Sequence, residues 1–300
     1  MASQAASAAP PFGALSRAAP DIGLERRRRV GNMLATILAG VATVIVLGAL
    51  ASILWTLLSL GIGGLSLHTL VTVTGPAGSN GGLLNPIIGS LIQVGLATLI
   101  GTPIGMMAGI YLAEFGGASP LANAVRFVSD MLLSAPSILV GLFVYLLLVA
   151  PFHHFSGFAG IAALAILVIP IVVRTTEDML RLVPVAMREA AAALGAPRWR
   201  VVVQVCLRAA RKGLLTGVLL AIARIAGETA PLLFTSLGNL NWSLSLNESM
   251  ASLPVTIYQY AGSPSDDWVQ LAWTAALLIT VGVLFINIVA RIGLRGQDRS

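Results

Sequence analysis

Residues 184–197 read Pro-Val-Ala-Met-Arg-Glu-Ala-Ala-Ala-Ala-Leu-Gly-Ala-Pro and lie in an arginine-rich segment between two strongly apolar ones. Pro184 suits the first turn of a helix, and alanines with other strong helix formers continue it from Val185 to Leu194. Gly195 suits the position just past the helix end, where a left-handed backbone is common, and Pro197 suits the first turn of a following helix. The stretch therefore predicts a helix, a glycine turn and a second helix.

Two kinds of partner fit this helix-turn-helix element. An amphipathic helix at a membrane surface would bind anionic lipid, whereas a helix that fits a groove would bind a protein. The run of alanines that begins at Ala190 offers lipid little apolar bulk and permits close packing. We therefore favour a handle for a protein partner, with polar contacts available from Arg188, Glu189, Arg198 and Arg200.

The composition indicates a membrane protein. Of the 300 residues, 57% are hydrophobic and 10% are charged, and the mean hydropathy is +0.90. Because a soluble domain carries about 25% charged residues, lipid is expected to cover most of this chain. The net charge of +6 is confined to particular loops, so we expect no nucleic-acid partner. The single cysteine, Cys206, cannot form an internal disulfide.

Six apolar segments are candidates to cross the membrane as helices. A span needs about 20 residues at 1.5 Å rise each. We expect an all-α membrane domain over residues 30–295, preceded by a disordered, basic cytoplasmic tail over residues 1–29. The first apolar run is too long for a signal peptide and is retained. The six spans lie near 33–60, 86–112, 128–150, 158–173, 213–236 and 269–290, the fourth being the shortest.

The distribution of cations predicts the orientation. Loops 61–85, 151–157 and 237–268 contain no Lys or Arg, whereas all of the 18 basic residues except Arg224 fall on the other side. The positive-inside rule therefore places both termini and the loop 174–212 in the cytoplasm.

The remaining cation, Arg224, lies inside the fifth predicted span, four residues before Glu228. That spacing puts the two side chains on one helix face, where they can pair. Since a charge at mid-membrane costs at least about 2.5–3.5 kcal/mol, such residues face the bundle interior or a water-filled cavity. The pair either fixes helix packing or forms a substrate or gating site, and we favour the second interpretation. Pro231 predicts a kink close by.

Small residues in the second span repeat at four-residue spacing: Gly101, Gly105 and Gly109. This spacing lets helices approach closely and indicates helix packing, with a contact between subunits as the alternative.

The third span begins at Asp130, which either caps the helix at the interface or lines the pathway. The sequence Ser134-Ala135-Pro136-Ser137 that follows is expected to disturb the helix. His153 and His154 stand in a short outer loop without further ligands, so we expect no metal site there.

A resemblance to a known family rests on the arginine-rich loop. Glu189-Ala190-Ala191, then three residues, Gly195, nine residues and Val205-Cys206-Leu207 resembles the EAA loop of ABC-importer permeases. Val205 stands for the usual isoleucine, and Arg208 for the usual proline. The resemblance implies a type I ABC importer permease fold and a contact with an ATPase subunit through Glu189, Ala190, Ala191 and Gly195.

Four further stretches narrow the resemblance to phosphate-specific permeases of the PstA branch. They are Gly81-Gly82-Leu-Leu-Asn85, Gly109-Ile-Tyr-Leu-Ala-Glu114-Phe-Gly116, Ala135-Pro-Ser-Ile138 with Gly141, and Arg224-x-x-Gly227-Glu-Thr-Ala-Pro-Leu-Leu-Phe234. The resemblance covers roughly residues 30–290 and implies that Arg224, Glu228 and Thr229 line the pathway of inorganic phosphate.

The same resemblance implies the partners. They are a second, PstC-like permease, two ATPase subunits that carry ATP and Mg²⁺, and an extracytoplasmic phosphate-binding protein. This chain contains no G-x-x-x-x-G-K-[ST] loop of the kind that binds nucleotide phosphates, so we expect a plasma-membrane transport subunit that binds no cofactor and performs no catalysis itself. A permease for molybdate or sulfate is the alternative. A secondary carrier or channel without an ATPase would commonly show inverted repeats, which are not clear here.

Overall fold

The structure, a computed structural model, describes residues 22–296, and every regular element among them is a helix. The all-α prediction is therefore confirmed for this range. The helices are α1 (Ile22–Gly63), α2 (Leu67–Val71), α3 (Leu84–Ile110), α4 (Pro120–Ser134), α5 (Ser137–Val144), α6 (Gly157–Arg181), α7 (Val185–Ala193), α8 (Arg198–Arg200), α9 (Leu207–Ala226), α10 (Ala230–Thr235), α11 (Leu253–Ala261) and α12 (Asp266–Gly296). A short π-helical turn at Tyr111–Phe115 extends α3, a second at Tyr145–Val149 extends α5, and a third at Val201–Cys206 leads into α9.

The described residues up to Trp55 form a unit of their own. Within it, every described side chain from Arg26 onward is exposed on α1. A helix that is apolar on all sides suits lipid rather than water. Residues 1–21 of the predicted tail lie outside the described residues. Residues 22–29 already belong to α1, because arginine is a good helix former and continues the helix of the span.

Four described helices are long and apolar enough to cross a membrane, at Arg26–Gly63, Leu84–Phe115, Gly157–Arg181 and Asp266–Ala290. A fifth results if α4 and α5, which meet at 106°, count as one broken span. The predicted disturbance at residues 134–137 is therefore confirmed. The predicted fifth span, 213–236, is divided between α9 and α10 by a break at residues 227–229, so the structure does not confirm six spans.

The fourth span was predicted to be the shortest, with its end at residue 173. The predicted end is wrong, since α6 runs on to Arg181. At 25 residues α6 nevertheless shares the shortest length among the four long apolar helices with Asp266–Ala290, and it is the most buried of them. The charge of Arg174 predicts that the span ends there. The helix continues nevertheless, because its acidic residue Glu177 is buried and paired with two arginines.

Glycines let two neighbours approach α6 closely. A Cβ on Gly101, Gly105 or Gly109 of α3 would lie within 2.9 Å of the Cβ of Val168, Val172 or Thr176 of α6. The predicted role in helix packing is confirmed, and the face is covered by α6 of the same chain rather than by another subunit. Gly213 and Gly217 of α9 approach α6 in the same way, against Met179 and Thr175.

Replacing Gly105 by alanine is expected to destabilise the protein by about 1–3 kcal/mol, the usual cost of overpacking. Its Cβ would lie 2.8 Å from the Cβ of Val172 and 2.9 Å from the backbone oxygen of Ile169. The matched variant is Gly95→Ala on the same helix, where the added Cβ meets nothing within 4 Å and helix propensity favours alanine by about 1 kcal/mol. Thermal unfolding of the detergent-solubilised protein measures both; equal effects would contradict the glycine contact.

The three loops without cations contact one another at one end of the helices. The backbone N–H of Gly78 donates to Asp267 Oδ2 at 2.6 Å, Thr74 Oγ1 donates to the Leu240 oxygen at 2.8 Å, and Gly157 N–H donates to the Glu248 oxygen at 2.8 Å. The predicted grouping of these loops is thus confirmed, while the side of the membrane on which they lie stays a prediction.

Candidate functional site

The handle, residues 184–200, folds as its sequence predicts. Helix α7 covers Val185–Ala193, and Gly195 follows it with a φ of +80°. The N–H of Gly195 donates to the Ala192 oxygen at 2.9 Å, and that of Ala196 to the Ala191 oxygen at 3.2 Å. This pair of bonds is the Schellman ending of a helix. Pro197 precedes α8 as its N-cap rather than standing in its first turn.

One side of the handle packs against the rest of the chain, and the opposite side is exposed. Ala191 and Ala196 pack against a buried apolar cluster that contains Leu180, Val201 and Cys206. Glu189, Ala190 and Gly195 are exposed, as are several apolar side chains on and beside the handle: Leu182, Val185, Leu194, Trp199 and Val203. Leu194 is 89% exposed, which is unusual for a leucine at a helix end and suits a surface that a partner covers.

A partly buried ion pair that the sequence does not predict ties the handle to the π-helical turn at the end of α3. Arg188 Nη2 lies 2.9 Å from Glu114 Oε1 and donates to the backbone oxygen of Leu180 at 2.6 Å. Beside this pair, a cavity of about 360 Å³ is bounded by the handle residues Glu189 and Arg198. Movement of the handle is therefore linked through Arg188 to the helix α3.

A second network, also not predicted, centres on Glu177 of α6, whose side chain is 2% exposed. Arg126 of α4 donates from Nε to Glu177 Oε1 at 2.8 Å, and Arg181 Nη2 lies 2.5 Å from the same oxygen. Arg126 also donates to the backbone oxygen of Leu112 at 3.2 Å. The network joins α3, α4 and α6 at their ends near the handle. Its one sequence signal is the i,i+4 spacing of Glu177 and Arg181.

Arg224 and Glu228 are paired, but not on one helix face as predicted. Helix α9 ends at Ala226, and Glu228 lies in the break before α10. The Arg224 Nε lies 3.8 Å from Glu228 Oε1, with side-chain exposures of 47% and 16%. Thr229 stands at the N-cap of α10, but its side chain makes no cap hydrogen bond. The charged side chains of Arg224 and Glu228 and the hydroxyl of Thr229 therefore belong to residues at or next to a break in the helical backbone.

The break lies at about half the height of the helical bundle. Helices α9 and α6 are antiparallel, with Gly217 opposite Thr175 and Ile225 in the apolar cluster that contains Leu164. This register places Arg224, next to Ile225, level with the middle of α6. Pro231 does not itself make the kink, since it stands in the first turn of α10, after the break.

Two of the stretches that carried the resemblance meet here. A Cβ on Gly141 of α5 would lie 2.5 Å from the Cα of Pro231 in α10. The glycine therefore permits α5 to pack directly on the residue that follows the Arg224 break.

Asp130 neither caps a helix start nor lies in an interior position. It sits in the last part of α4, and its carboxylate is 57% exposed at 3.9 Å from Arg174 Nη1. The cap interpretation is therefore wrong. Of the outer histidines, His154 Nδ1 lies 3.3 Å from the Phe155 oxygen, and within the described residues no three metal-binding side chains come together.

Comparison with known proteins defines the class. Residues 101–299, more than half of the chain, match the family described as binding-protein-dependent transport system inner membrane component. The phosphate transport system permease protein PstA of Pasteurella multocida is 54% identical, with 88% of this chain and 95% of that protein covered. PstA of Haemophilus influenzae is 56% identical, with 88% and 94% covered, and PstA 1 of Mycobacterium tuberculosis (strain CDC 1551 / Oshkosh) is 37% identical, with 89% and 90% covered. The chain belongs to the PstA family of these membrane components.

The fold agrees with this family. A chain of the MetNI methionine ABC transporter, solved in inward-facing conformations, superimposes with a TM-score of 0.58 at 20% identity, covering 71% of this chain and 95% of that one. A second crystal form gives 0.54 at 19% identity, with 71% and 93% covered. The predicted ABC importer permease fold is confirmed, as is the prediction of a multi-pass membrane transport subunit rather than an enzyme.

Proposed function

We propose that this chain forms half of the translocation path of an ATP-driven importer of inorganic phosphate in the plasma membrane, with both termini in the cytoplasm. The observation that carries the proposal is identity above 50% to two PstA proteins over nearly the whole chain. The partners in this proposal are a second, PstC-like permease, two ATPase subunits that hold ATP and Mg²⁺, and an extracytoplasmic phosphate-binding protein.

Arg224, Glu228 and Thr229 are the proposed phosphate site. A guanidinium binds phosphate oxygens through a planar fork of donors. The long 3.8 Å separation from Glu228 and the 47% exposure of Arg224 leave most of this fork free. An exposed ion pair of this kind contributes about 0–1 kcal/mol to stability, which argues against a purely structural role for a charge held in the membrane.

Glu228 gives the site a means to distinguish phosphate from sulfate. Phosphate near neutral pH still carries a P–OH, which can donate to the carboxylate, whereas sulfate carries none and is repelled. The Glu228→Gln variant is therefore expected to lose discrimination between the two anions while keeping phosphate uptake measurable.

The measurement is competition by sulfate against uptake of radiolabelled phosphate by the reconstituted complex. Asp266→Asn, an exposed carboxylate at the start of α12 and outside the segment that joins α10 to α11, serves as the control and should leave competition unchanged. If the Glu228→Gln variant excludes sulfate as strongly as the unmodified chain, Glu228 does not recognise the P–OH group of phosphate.

The handle is the proposed contact with the ATPase subunits, through Glu189, Ala190, Ala191 and Gly195. It is exposed on one side, and the Arg188–Glu114 pair fixes it to α3. Closure of the ATPase pair would move the handle and with it the helices around Arg224. Such coupling requires that the handle contact the two ATPase states differently.

Substitutions at Gly195 test the backbone turn of the handle independently of its side-chain contacts. The φ of +80° costs a residue with a Cβ about 1–2 kcal/mol, and asparagine tolerates it best, although a Cβ there meets nothing within 4 Å. Gly195→Val is expected to reduce transport-coupled ATP hydrolysis strongly, and Gly195→Asn only mildly. ATP hydrolysis by the purified complex with and without phosphate-loaded binding protein tests this; equal losses would show that the turn geometry is not what matters.

A permease for sulfate or molybdate is the second candidate, since Arg224 alone would suit any oxyanion. The Gly227-Glu228-Thr229 segment beside it favours phosphate for the reason given above. A carrier that works without an ATPase is disfavoured by the match to binding-protein-dependent transport components.

A further inference from the structure

The segment 237–252, here named the outer strap, joins α10 to α11 without a helix of its own. It lies across the ends of α3 and α6 that are remote from the handle. The first N–H groups of α6, on Gly157 and Phe158, donate to strap oxygens of Glu248 and Leu246 at 2.8 and 2.9 Å. Asn85, in the first turn of α3, donates from Nδ2 to the Leu240 oxygen at 2.9 Å. The strap thus closes this end of the bundle.

The underside of the strap is polar, buried and poorly paired. Gln93 of α3 and Ser252 are 0% exposed, yet Gln93 Oε1 and Ser252 Oγ have no hydrogen-bond partner among the residues that the structure describes. The Gln93 amide reaches the oxygens of Met250 and Ala251 only at 3.4 and 3.5 Å. A buried polar atom without a partner is costly and needs an explanation. Below the strap, by contrast, α3 and α6 meet through the apolar Gly101–Val168 contact.

The two ends of the strap differ in conformation, and each lacks a favourable local interaction or geometry. Leu237, where α10 passes into the strap, has a φ of +56°, a left-handed conformation that is strained for leucine. Ser252 occupies the N-cap of α11 with extended dihedrals, but its hydroxyl makes no cap bond. Instead, the N–H of Leu253 donates to Ser90 Oγ of α3 at 2.7 Å. Strain at Leu237, a missing cap bond at Ser252 and unpaired polar groups beneath the strap together mark an interface that can open.

We propose that the outer strap is the gate at the extracytoplasmic end of the translocation path. It is closed in this structure, and it opens by turning about Leu237 and Ser252, which lets water and the anion reach Gln93 and Ser252. The strap follows directly on α10, which begins at the break beside Arg224, so the gate and the anion site are joined by one short helix. This assignment rests on the proposed transport function.

A disulfide across the closed gate tests the proposal. A Cβ on Gly157 of α6 lies 3.3 Å from the Cβ of Met250 in the strap, close to the separation of about 3.5–4.5 Å in disulfides. Cys206 is the only cysteine of the chain, so the double variant Gly157→Cys/Met250→Cys is made in a Cys206→Ala background. Oxidation is expected to stop phosphate uptake by the reconstituted complex, and reduction to restore it, while each single variant transports under both conditions. Uptake at an unchanged rate through the oxidised pair would overturn the gate.

Labelling of Ser252→Cys in the same background gives a second measurement that does not depend on the pair. A membrane-impermeant maleimide is applied from the binding-protein side, first at rest and then with ATP, vanadate and loaded binding protein. If the open state is a minor one at rest and the major one in the trapped complex, labelling rises at least about tenfold. An equal rate in both states would overturn the proposal.

Two glycines of α3 provide a matched pair for the labelling. A Cβ on Gly89 would overlap the backbone oxygen of Ala251 and push the strap outward, whereas a Cβ on Gly95 meets nothing within 4 Å. Gly89→Ala is therefore expected to raise the resting labelling of Ser252→Cys, and Gly95→Ala to leave it unchanged. Equal labelling of the two would contradict a movable strap.

Different experimental results would disprove the gate and the assignment of phosphate as the substrate. If the reduced pair variant takes up no phosphate but Ser252→Cys labelling still rises in the trapped complex, the substrate is wrong and the gate stands. If phosphate enters through the oxidised pair, the gate is wrong and the substrate stands.

Discussion

Replacing Arg224 by alanine is expected to abolish phosphate uptake without preventing assembly of the complex. Loss of a charged partner at a desolvated site typically costs about 2–5 kcal/mol, which at about 1.4 kcal/mol per tenfold is roughly thirtyfold to several thousandfold. Stability should change little, because the pair with Glu228 is long and its Arg224 side half exposed. Arg224→Lys should recover only part of the activity, since it restores the charge but not the planar fork.

The measurement is the initial rate of phosphate uptake together with the thermal unfolding of the purified complex. Arg211→Ala, an exposed arginine on the same helix, is the matched control and should retain uptake. If Arg224→Ala lowers the unfolding temperature and the yield of complex in proportion to uptake, Arg224 is a structural residue. Normal uptake by the variant would remove it from the pathway altogether.

Replacing Glu177 by alanine is expected to cause the largest loss of stability in this chain, about 3–5 kcal/mol. Such losses are typical when one partner of a buried ion pair is removed and the other charge stays behind. Here the stranded charge is Arg126, whose side chain is 21% exposed and lies 2.8 Å from Glu177. Thermal unfolding in detergent and the yield of membrane-inserted protein report the loss.

The adjacent residue supplies the control. Asp178 is 50% exposed and lies 3.4 Å from Arg174 Nε at i,i+4 spacing, so Asp178→Ala should cost only about 0.3–0.5 kcal/mol. The double replacement Arg126→Leu/Glu177→Leu removes both charges and should recover much of the stability. Equal effects of Glu177→Ala and Asp178→Ala would show that the buried network is not the stabilising element.

The handle was predictable from its sequence because its determinants are local. Pro184 before the helix and Gly195 after it fix the two ends within a few residues, and neither depends on a distant contact. The glycines at Gly101, Gly105 and Gly109 were predictable for the same reason, since four-residue spacing of small residues places them on one helix face.

The extent of α6 and the geometry at Arg224 were not predictable in this way. Glu177 looked like a loop residue because the cation that permits its burial, Arg126, is supplied by another helix. At Arg224 the four-residue spacing indicated a continuous helix, whereas Gly227 ends α9 and places Glu228 beyond it. In both cases a tertiary contact or a single glycine overrides the periodic pattern.

The outer strap carried no sequence signal at all. Its sequence shows neither helical nor strand periodicity, and its structure depends on hydrogen bonds to distant residues such as Asn85 and Gly157. Gln93 likewise reads as one polar residue in an apolar helix, and only the folded chain brings it beneath the strap.

The most direct test of the central proposal is uptake by proteoliposomes that contain the complete complex. The proteoliposomes are supplied with phosphate-loaded or sulfate-loaded binding protein, and uptake is measured with and without ATP on the side of the ATPase subunits. We expect accumulation of phosphate only, only in the presence of ATP, and loss of this accumulation in the Arg224→Ala complex. Uptake that proceeds without ATP, or sulfate uptake as fast as that of phosphate, would contradict it.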